Sequence, residues 1–246
     1  IPLKDLAYTN QKFIKKFKSY TTYISCTSDE VSVFLTDKTY LYKSNIGMYF
    51  PLLSSTKNTY KILVAQVGKR RSAYLSVAKI NKKFATKTPM KMTLKNMALM
   101  SNKLINQPYG WGGLYNNRDC SSMIRDLYSP FGIWLPRNSN SQAKHVGNFK
   151  YIANLSDIKK ESFIKNNAHP YKTLLWLPGH IMIYIGQKNN KALVFHNIWG
   201  LRTIDEMKRL IIGKAVITTL NPGSELSTID TSFNFLNQIK IMTTIN

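Results

Sequence analysis

Tyr109-Gly110-Trp111-Gly112-Gly113, followed after four residues by Arg118-Asp119-Cys120-Ser121-Ser122, is the stretch on which the reading of this chain turns. It sets one of only two cysteines at a loop-to-helix junction. Gly112 and Gly113 permit a sharp approach, and Met123, Ile124, Leu127 and Tyr128 recur at helical spacing after the cysteine. A helix N-terminus and an adjacent imidazolium both favour a thiolate over a thiol whose ordinary pKa is about 8.5, so the expectation is a depressed Cys120 pKa. Downstream, Pro178-Gly179-His180 opens an apolar strand that runs to Ile185, and Val194-Phe195-His196 closes the next. Two histidines can therefore converge on Cys120 from neighbouring strands, and Cys120, His180 and His196 read as nucleophile, base and orienter. Burial as a small hydrophobe is the commoner fate of a lone cysteine, but Asp119 and Ser121 are polar neighbours that suit a cleft. His145 and His169 lie in polar, irregular segments without a partner pattern and receive no role.

These residues resemble a known family. Tyr-Gly-Trp-Gly-Gly, Arg-Asp-Cys-Ser-Ser, Gly132-Ile133-Trp134-Leu135-Pro136-Arg137-Asn138-Ser139 and Gly179-His180-Ile181-Met182-Ile183-Tyr184-Ile185-Gly186 look like the NlpC-type (NlpC/P60) cell-wall cysteine peptidases, over about residues 93 to 220. The resemblance implies an α+β, papain-like core and hydrolysis of the amide between D-glutamate and diaminopimelate in peptidoglycan stem peptides. It implies Cys120 as nucleophile, His180 as base and His196 as the orienting residue, with Tyr109, Asp119 and Ser121 lining the substrate site. Ser122 and Met182 depart from the family's usual small residues and narrow the expected cleft. The wording Gly-His-Ile-Met-Ile-Tyr resembles the subgroup with a bacterial SH3-like domain ahead of the peptidase. In that subgroup the SH3-like part borders the active-site cleft, and Asp119 is then expected to hold the free amine of an N-terminal L-alanine. Two other functions share these residues: a wall-binding protein with restricted peptidase activity, and a thiol acyltransferase.

Composition bounds the rest. A chain of 246 residues, 43% of them hydrophobic, reads as globular with two moderate domains. No apolar run approaches the roughly 18 residues of a membrane-spanning helix. The chain begins with Ile1 rather than methionine, so a targeting segment is expected to have been removed, in keeping with a secreted, periplasmic or envelope-associated protein. Two cysteines make no disulfide framework, and Cys26 reads as a small filler near a strand. No Cys-x-x-Cys or His-x-x-x-His spacing supports a metal, and no cofactor is expected. There are 35 basic against 12 acidic residues, a formal charge of +23. The basic residues are scattered through both halves rather than gathered into a nucleic-acid stripe, so no specific nucleic-acid partner is expected. A wide positive field instead favours anionic cell-wall polymers beside peptidoglycan peptides.

Along the chain, Leu6 to Tyr23 suits a short helix or lead-in, and strand patterns follow at Val31 to Leu35, Thr39 to Tyr42, Tyr60 to Val67 and Ala73 to Ile80. A small SH3-like barrel over residues 1–88 fits this spacing, with Asn81 to Pro89 as the linker and the peptidase domain over residues 89–246. Thr93 caps an expected helix, Leu94 to Ile105, with Leu94, Met97, Ala98, Leu104 and Ile105 facing the core. Asn154 to Asp157 reads as a further helix cap. Later strands are expected at Thr173 to Trp176, His180 to Ile185, Ala192 to His196 and Ala215 to Thr219. Trp134 and Trp176 are assigned to core packing and Trp111 to the cleft wall. The amphipathic tail beyond Asn221 receives no role.

Overall fold

The computed structural model describes residues 6–205 and 207–245. Ile1 and the first residues of the expected N-terminal domain lie outside them. The chain divides into two compact units: residues up to Lys91 together with Tyr128–Ile133, and Met92–Leu127 together with the residues from Trp134 onward.

The first unit opens with helix α1 (Gln11–Lys18), whose Phe13 amide donates to the Asn10 side chain at 2.9 Å. Strands β1 (Tyr23–Cys26), β2 (Val31–Leu35), β3 (Tyr40–Ser44), β4 (Tyr49–Ser55), β5 (Thr59–Val67), β6 (Ala73–Asn81) and β7 (Ala85–Thr88) follow. They form one antiparallel, SH3-like sheet in the order β3-β2-β6-β5-β4-β1-β7. Period-two alternation sends Tyr60, Ile62 and Val64 of β5 inward, to meet Ile24, Val33, Ala78 and Ile80. Cys26 is fully buried in this core, its Sγ 3.1 Å from Ser44 Oγ, and desolvation pushes its thiol up to about 11. The stretch 81–89, expected as a linker, is instead structural. Lys82–Phe84 forms a 3-10 turn, and β7 pairs with β1 from Tyr23↔Thr88 to Cys26↔Ala85.

The second unit carries α2 (Leu94–Leu104), α3 (Cys120–Tyr128), α4 (Ser139–His145), β8 (Gly147–Tyr151), α5 (Asp157–Asn167), β9 (Thr173–Leu177), β10 (His180–Lys188), β11 (Lys191–Arg202), β12 (Arg209–Thr219), α6 (Phe235–Gln238) and β13 (Ile241–Ile245). Its sheet runs β12-β11-β10-β9-β13-β8, antiparallel throughout. Thr93 caps α2 as expected, accepting from the Asn96 amide at 3.2 Å. That helix buries Met97, Met100 and Leu104, whereas Leu94 is exposed because it sits on the first turn, away from the packed face. The tail is an inner strand: Ile241 lies opposite both Trp176 and Tyr151. Trp134 is 80% exposed, against the expectation of core packing, because its extended neighbour Leu135 takes the buried place at 1%.

The hairpin β11–β12 shifts register between Ile198 and Gly200, and this irregularity re-aims Trp199. A Cβ at Gly200 would lie 2.6 Å from the Leu210 carbonyl oxygen of the facing strand. Gly200→Ala is therefore expected to destabilise the protein by about 1–3 kcal/mol, read from urea unfolding. An unchanged midpoint would contradict the close backbone approach.

Candidate active site

Cys120 occupies the first turn of α3, and the residue before it caps that helix. The Asp119 carboxylate accepts from the Ser122 amide at 2.8 Å, while Ser122 Oγ accepts from the Asp119 amide at 2.9 Å. This reciprocal pair is a capping box. Ser122, which looks like a bulky departure in the sequence, is one half of it. Arg137 grips the same carboxylate through Nη2 at 2.6 Å and Nη1 at 3.0 Å, and Nη1 also reaches Ser121 Oγ at 3.1 Å. These bonds outweigh the cost of burial and hold the Asp119 carboxyl below its usual range. An amine approaching Asp119 therefore meets a carboxylate already engaged by Arg137.

The thiol faces strand β10. The backbone N–H groups of Ile181, Ser121 and Cys120 itself point at the sulfur. Ile181 follows His180 directly, so the strand bearing the imidazole lies against the helix bearing the thiol. Burial, with the Asp119 charge adding to it, outweighs those amides and pushes the Cys120 thiol up to about 11. This corrects the expectation of a depressed value: the helix start is present, but the sulfur is 5% exposed and an anion is its neighbour.

His180 Nε2 and His196 Nδ1 are 2.8 Å apart, and His196 Nε2 is 3.0 Å from Thr218 Oγ1. The Thr218 hydroxyl donates to the Thr219 carbonyl at 2.8 Å, which uses its one hydrogen. Thr218 Oγ1 then accepts from His196 Nε2–H, His196 Nδ1 accepts from His180 Nε2–H, and His180 Nδ1 is left with a lone pair. Val194 lies opposite Thr218 and His196 opposite Val216, so the hydroxyl and the imidazole share a face as diagonal neighbours. Phe235 covers the pair, its ring centroid 5.7 Å from that of His180 and 5.4 Å from that of His196. Burial lowers His180 to about 4, and burial together with His180 lowers His196 well below its ordinary value.

Beside His180 opens a cavity of about 450 Å³, whose walls include Tyr109, Trp111, Trp199 and Phe235. Tyr109 stands edge-on to Trp111 at 5.3 Å, and Trp199 tilts toward both. Burial and the nearby Cys120 and Asp119 raise the Tyr109 phenol. Gly112 and Gly113 adopt positive φ in the turn that presents Trp111, 62% exposed. Among the described residues no three His, Cys, Asp or Glu side chains gather as a metal site. Thr218, Phe235 and Arg137 were not singled out from sequence. Arg137 stood inside a quoted motif, whereas Thr218 and Phe235 become visible only through strand register and the fold of the tail.

A helix bearing a cysteine at its start, laid against an antiparallel sheet bearing histidines, is the arrangement of papain-like cysteine hydrolases. Residues 106–197 match the NlpC/P60 family and residues 11–57 the SH3 domain of SH3b2 type, so the chain carries an NlpC/P60 domain preceded by an SH3-like domain. Among solved structures it is similar to an NlpC/P60 endopeptidase from Photobacterium damselae subsp. piscicida, at 26% identity and a TM-score of 0.79, over 97% of this chain and 56% of that one. An NlpC/P60 family protein from Bacillus cereus ATCC 10987 shares the fold, at 16% identity and a TM-score of 0.63, over 100% of this chain and 69% of that one. This chain thus spans little more than half the length of the Photobacterium protein. No curated protein matches it.

Two pH effects follow. An unfolded chain binds protons at its histidines near 6.5 and the folded site only near 4. Stability is full above about 6.5 and is lost as pH falls toward 4, so Tm should decline across that window and the slope should flatten in a His180→Gln, His196→Gln variant. A slope unchanged in that variant would contradict the buried neutral pair. Alkylation of Cys120 by iodoacetamide should keep rising with pH beyond 8. A rate that levels below pH 7 would show a thiolate at rest.

Proposed function

We propose that this chain is a cysteine endopeptidase that hydrolyses the D-glutamyl–diaminopimelate amide of peptidoglycan stem peptides. Cys120 is the nucleophile, His180 the general base and His196 its orienter. The observation that carries the reading is the chain from Thr218 through His196 to His180, which leaves His180 Nδ1 unprotonated and the imidazole fixed. In the resting site thiol and imidazole are both neutral. As substrate enters, His180 Nδ1 takes the Cys120 proton and the sulfur attacks the γ-carbonyl of D-glutamate. The Cys120 amide, at the helix start, stabilises the oxyanion. The imidazolium returns its proton to the leaving amine, and a water deprotonated by His180 then cleaves the thioester.

Tyr109 and Trp111 line the substrate site. Asp119 and Ser121 contribute by holding Arg137 and the start of α3 beside the thiol, with any substrate amine sharing that carboxylate. The match to SH3 domains of SH3b2 type supports attachment to the wall by the first unit, and the excess of basic residues supports attraction to anionic wall polymers. No helix among the described residues is long and apolar enough to cross a membrane. The substrate puts the site of action in the cell envelope.

Incubation with purified muropeptides, with products identified by mass spectrometry, tests the reading. Cleavage after D-glutamate is expected. Cys120→Ala and His180→Ala should each lower kcat on the order of a thousandfold or more, and His196→Ala less. Normal turnover by Cys120→Ala would remove the nucleophile assignment.

A further inference from the structure

Among the described residues Lys160 is the only lysine or arginine that is buried, at 1% exposure. It lies on α5 one turn before Ile164, and these two are the buried residues of that helix. A lysine stem laid along apolar surface ordinarily carries its ammonium out to water. Lys160 instead ends 3.0 Å from the Asn237 carbonyl, to which its Nζ donates. Burial lowers the ammonium below its ordinary value, with Asp157 opposing that effect and Lys240 adding to it. A methionine at this position would occupy similar space, so the amino group is there for the bond it makes rather than for packing.

Asn237 belongs to α6, a helix of a single turn. So short a helix does not stand alone in water, and its last carbonyls have no partner within it. It is held from outside instead. The Leu236 amide donates to the Leu220 carbonyl at 3.1 Å, the Leu236 side chain is buried, and Lys160 takes the Asn237 carbonyl. The first residue of α6 is Phe235, whose ring packs against both histidines. We propose that Lys160 is a positioning residue for the base: it fixes α6, and through α6 the Phe235 ring against His180 and His196. The proposal rests on the peptidase reading above for the role of His180. Titratable groups on the elements packed against His180 are His196 on β11 and Cys120 with Asp119 at the start of α3, whereas β9 and α6 carry none. The cavity beside it is also lined by Tyr109, Arg202, Arg209 and Asp230. What α6 brings to His180 is therefore apolar burial rather than charge, and burial is what lowers that imidazole.

The test follows the titration of His180 by NMR of ¹⁵N-histidine protein in Lys160→Met, in Phe235→Ala and in the double variant. Each single change should raise the His180 pKa from about 4 by about one unit or more toward 6.5. The double variant should go little beyond Phe235→Ala alone, because both changes act through one ring. Lys160→Arg, which keeps the charge and the donors, should titrate close to the unaltered protein. Lys160→Gln, one bond shorter than lysine, replaces Lys160→Met if that variant does not fold, and the same rise is expected of it. The acid limb of kcat/KM on L-Ala-γ-D-Glu-meso-diaminopimelate should move up with the titration. A titration unmoved by either single change, or a rise in Lys160→Met that adds in full to that of Phe235→Ala, would overturn the positioning role. A shifted titration in Lys160→Met with no hydrolysis by the unaltered protein keeps that role and retires the peptidase. Hydrolysis by the unaltered protein with an unmoved titration in the variant does the reverse.

Discussion

The direction of one hydrogen bond governs the rest of the site. Thr218 gives its only hydroxyl hydrogen to a backbone carbonyl, so the next donor in line must be His196, and the next His180. A buried imidazole can be neutral in either of two tautomers, and only one leaves His180 Nδ1 able to accept a proton. A threonine two strands away from His180 thus decides which of its ring nitrogens carries the proton. Phe235 packs against both rings, and burial makes both imidazoles poor proton acceptors.

The helix that carries the thiol is fixed by a different polar network. Asp119 caps α3, Ser122 returns the bond, and Arg137 neutralises the carboxylate that capping places beside the sulfur. Without Arg137, the charge that anchors the helix would add unopposed to the burial that already raises the thiol. Capping, charge balance and thiol position therefore depend on the same few atoms. At neutral pH the Cys120 thiol and the His180 imidazole are both neutral.

Much of this was legible in the chain, for definite physical reasons. Helix α2 announced itself through Thr93 and its apolar spacing, and β2, β5, β6, β9 and β10 through alternating or continuous apolar runs. His180 and His196 stood on expected strands, and antiparallel pairing of β10 with β11 brought them together. What escaped notice depends on partners distant in sequence. Strand β13 is a short run beyond an irregular tail, and it becomes a strand by filling the gap between β8 and β9. Strand β4 contains Pro51, which argues against a strand when read alone. Strand β7 looked like a linker because Thr86, Lys87 and Thr88 are polar, yet β1 needs its backbone groups. The Cys120 pKa was misjudged because the amides of a helix start are visible in a sequence and the depth of burial is not.

The arrangement of protons among the histidines is the most exposed part of this account, and nitrogen NMR of protein labelled with ¹⁵N-histidine reads it directly. At neutral pH the account predicts His180 and His196 both neutral and both protonated at Nε2, assigned by loss of each signal set in single His→Gln variants. An imidazolium at His180, or a proton on its Nδ1, would contradict it.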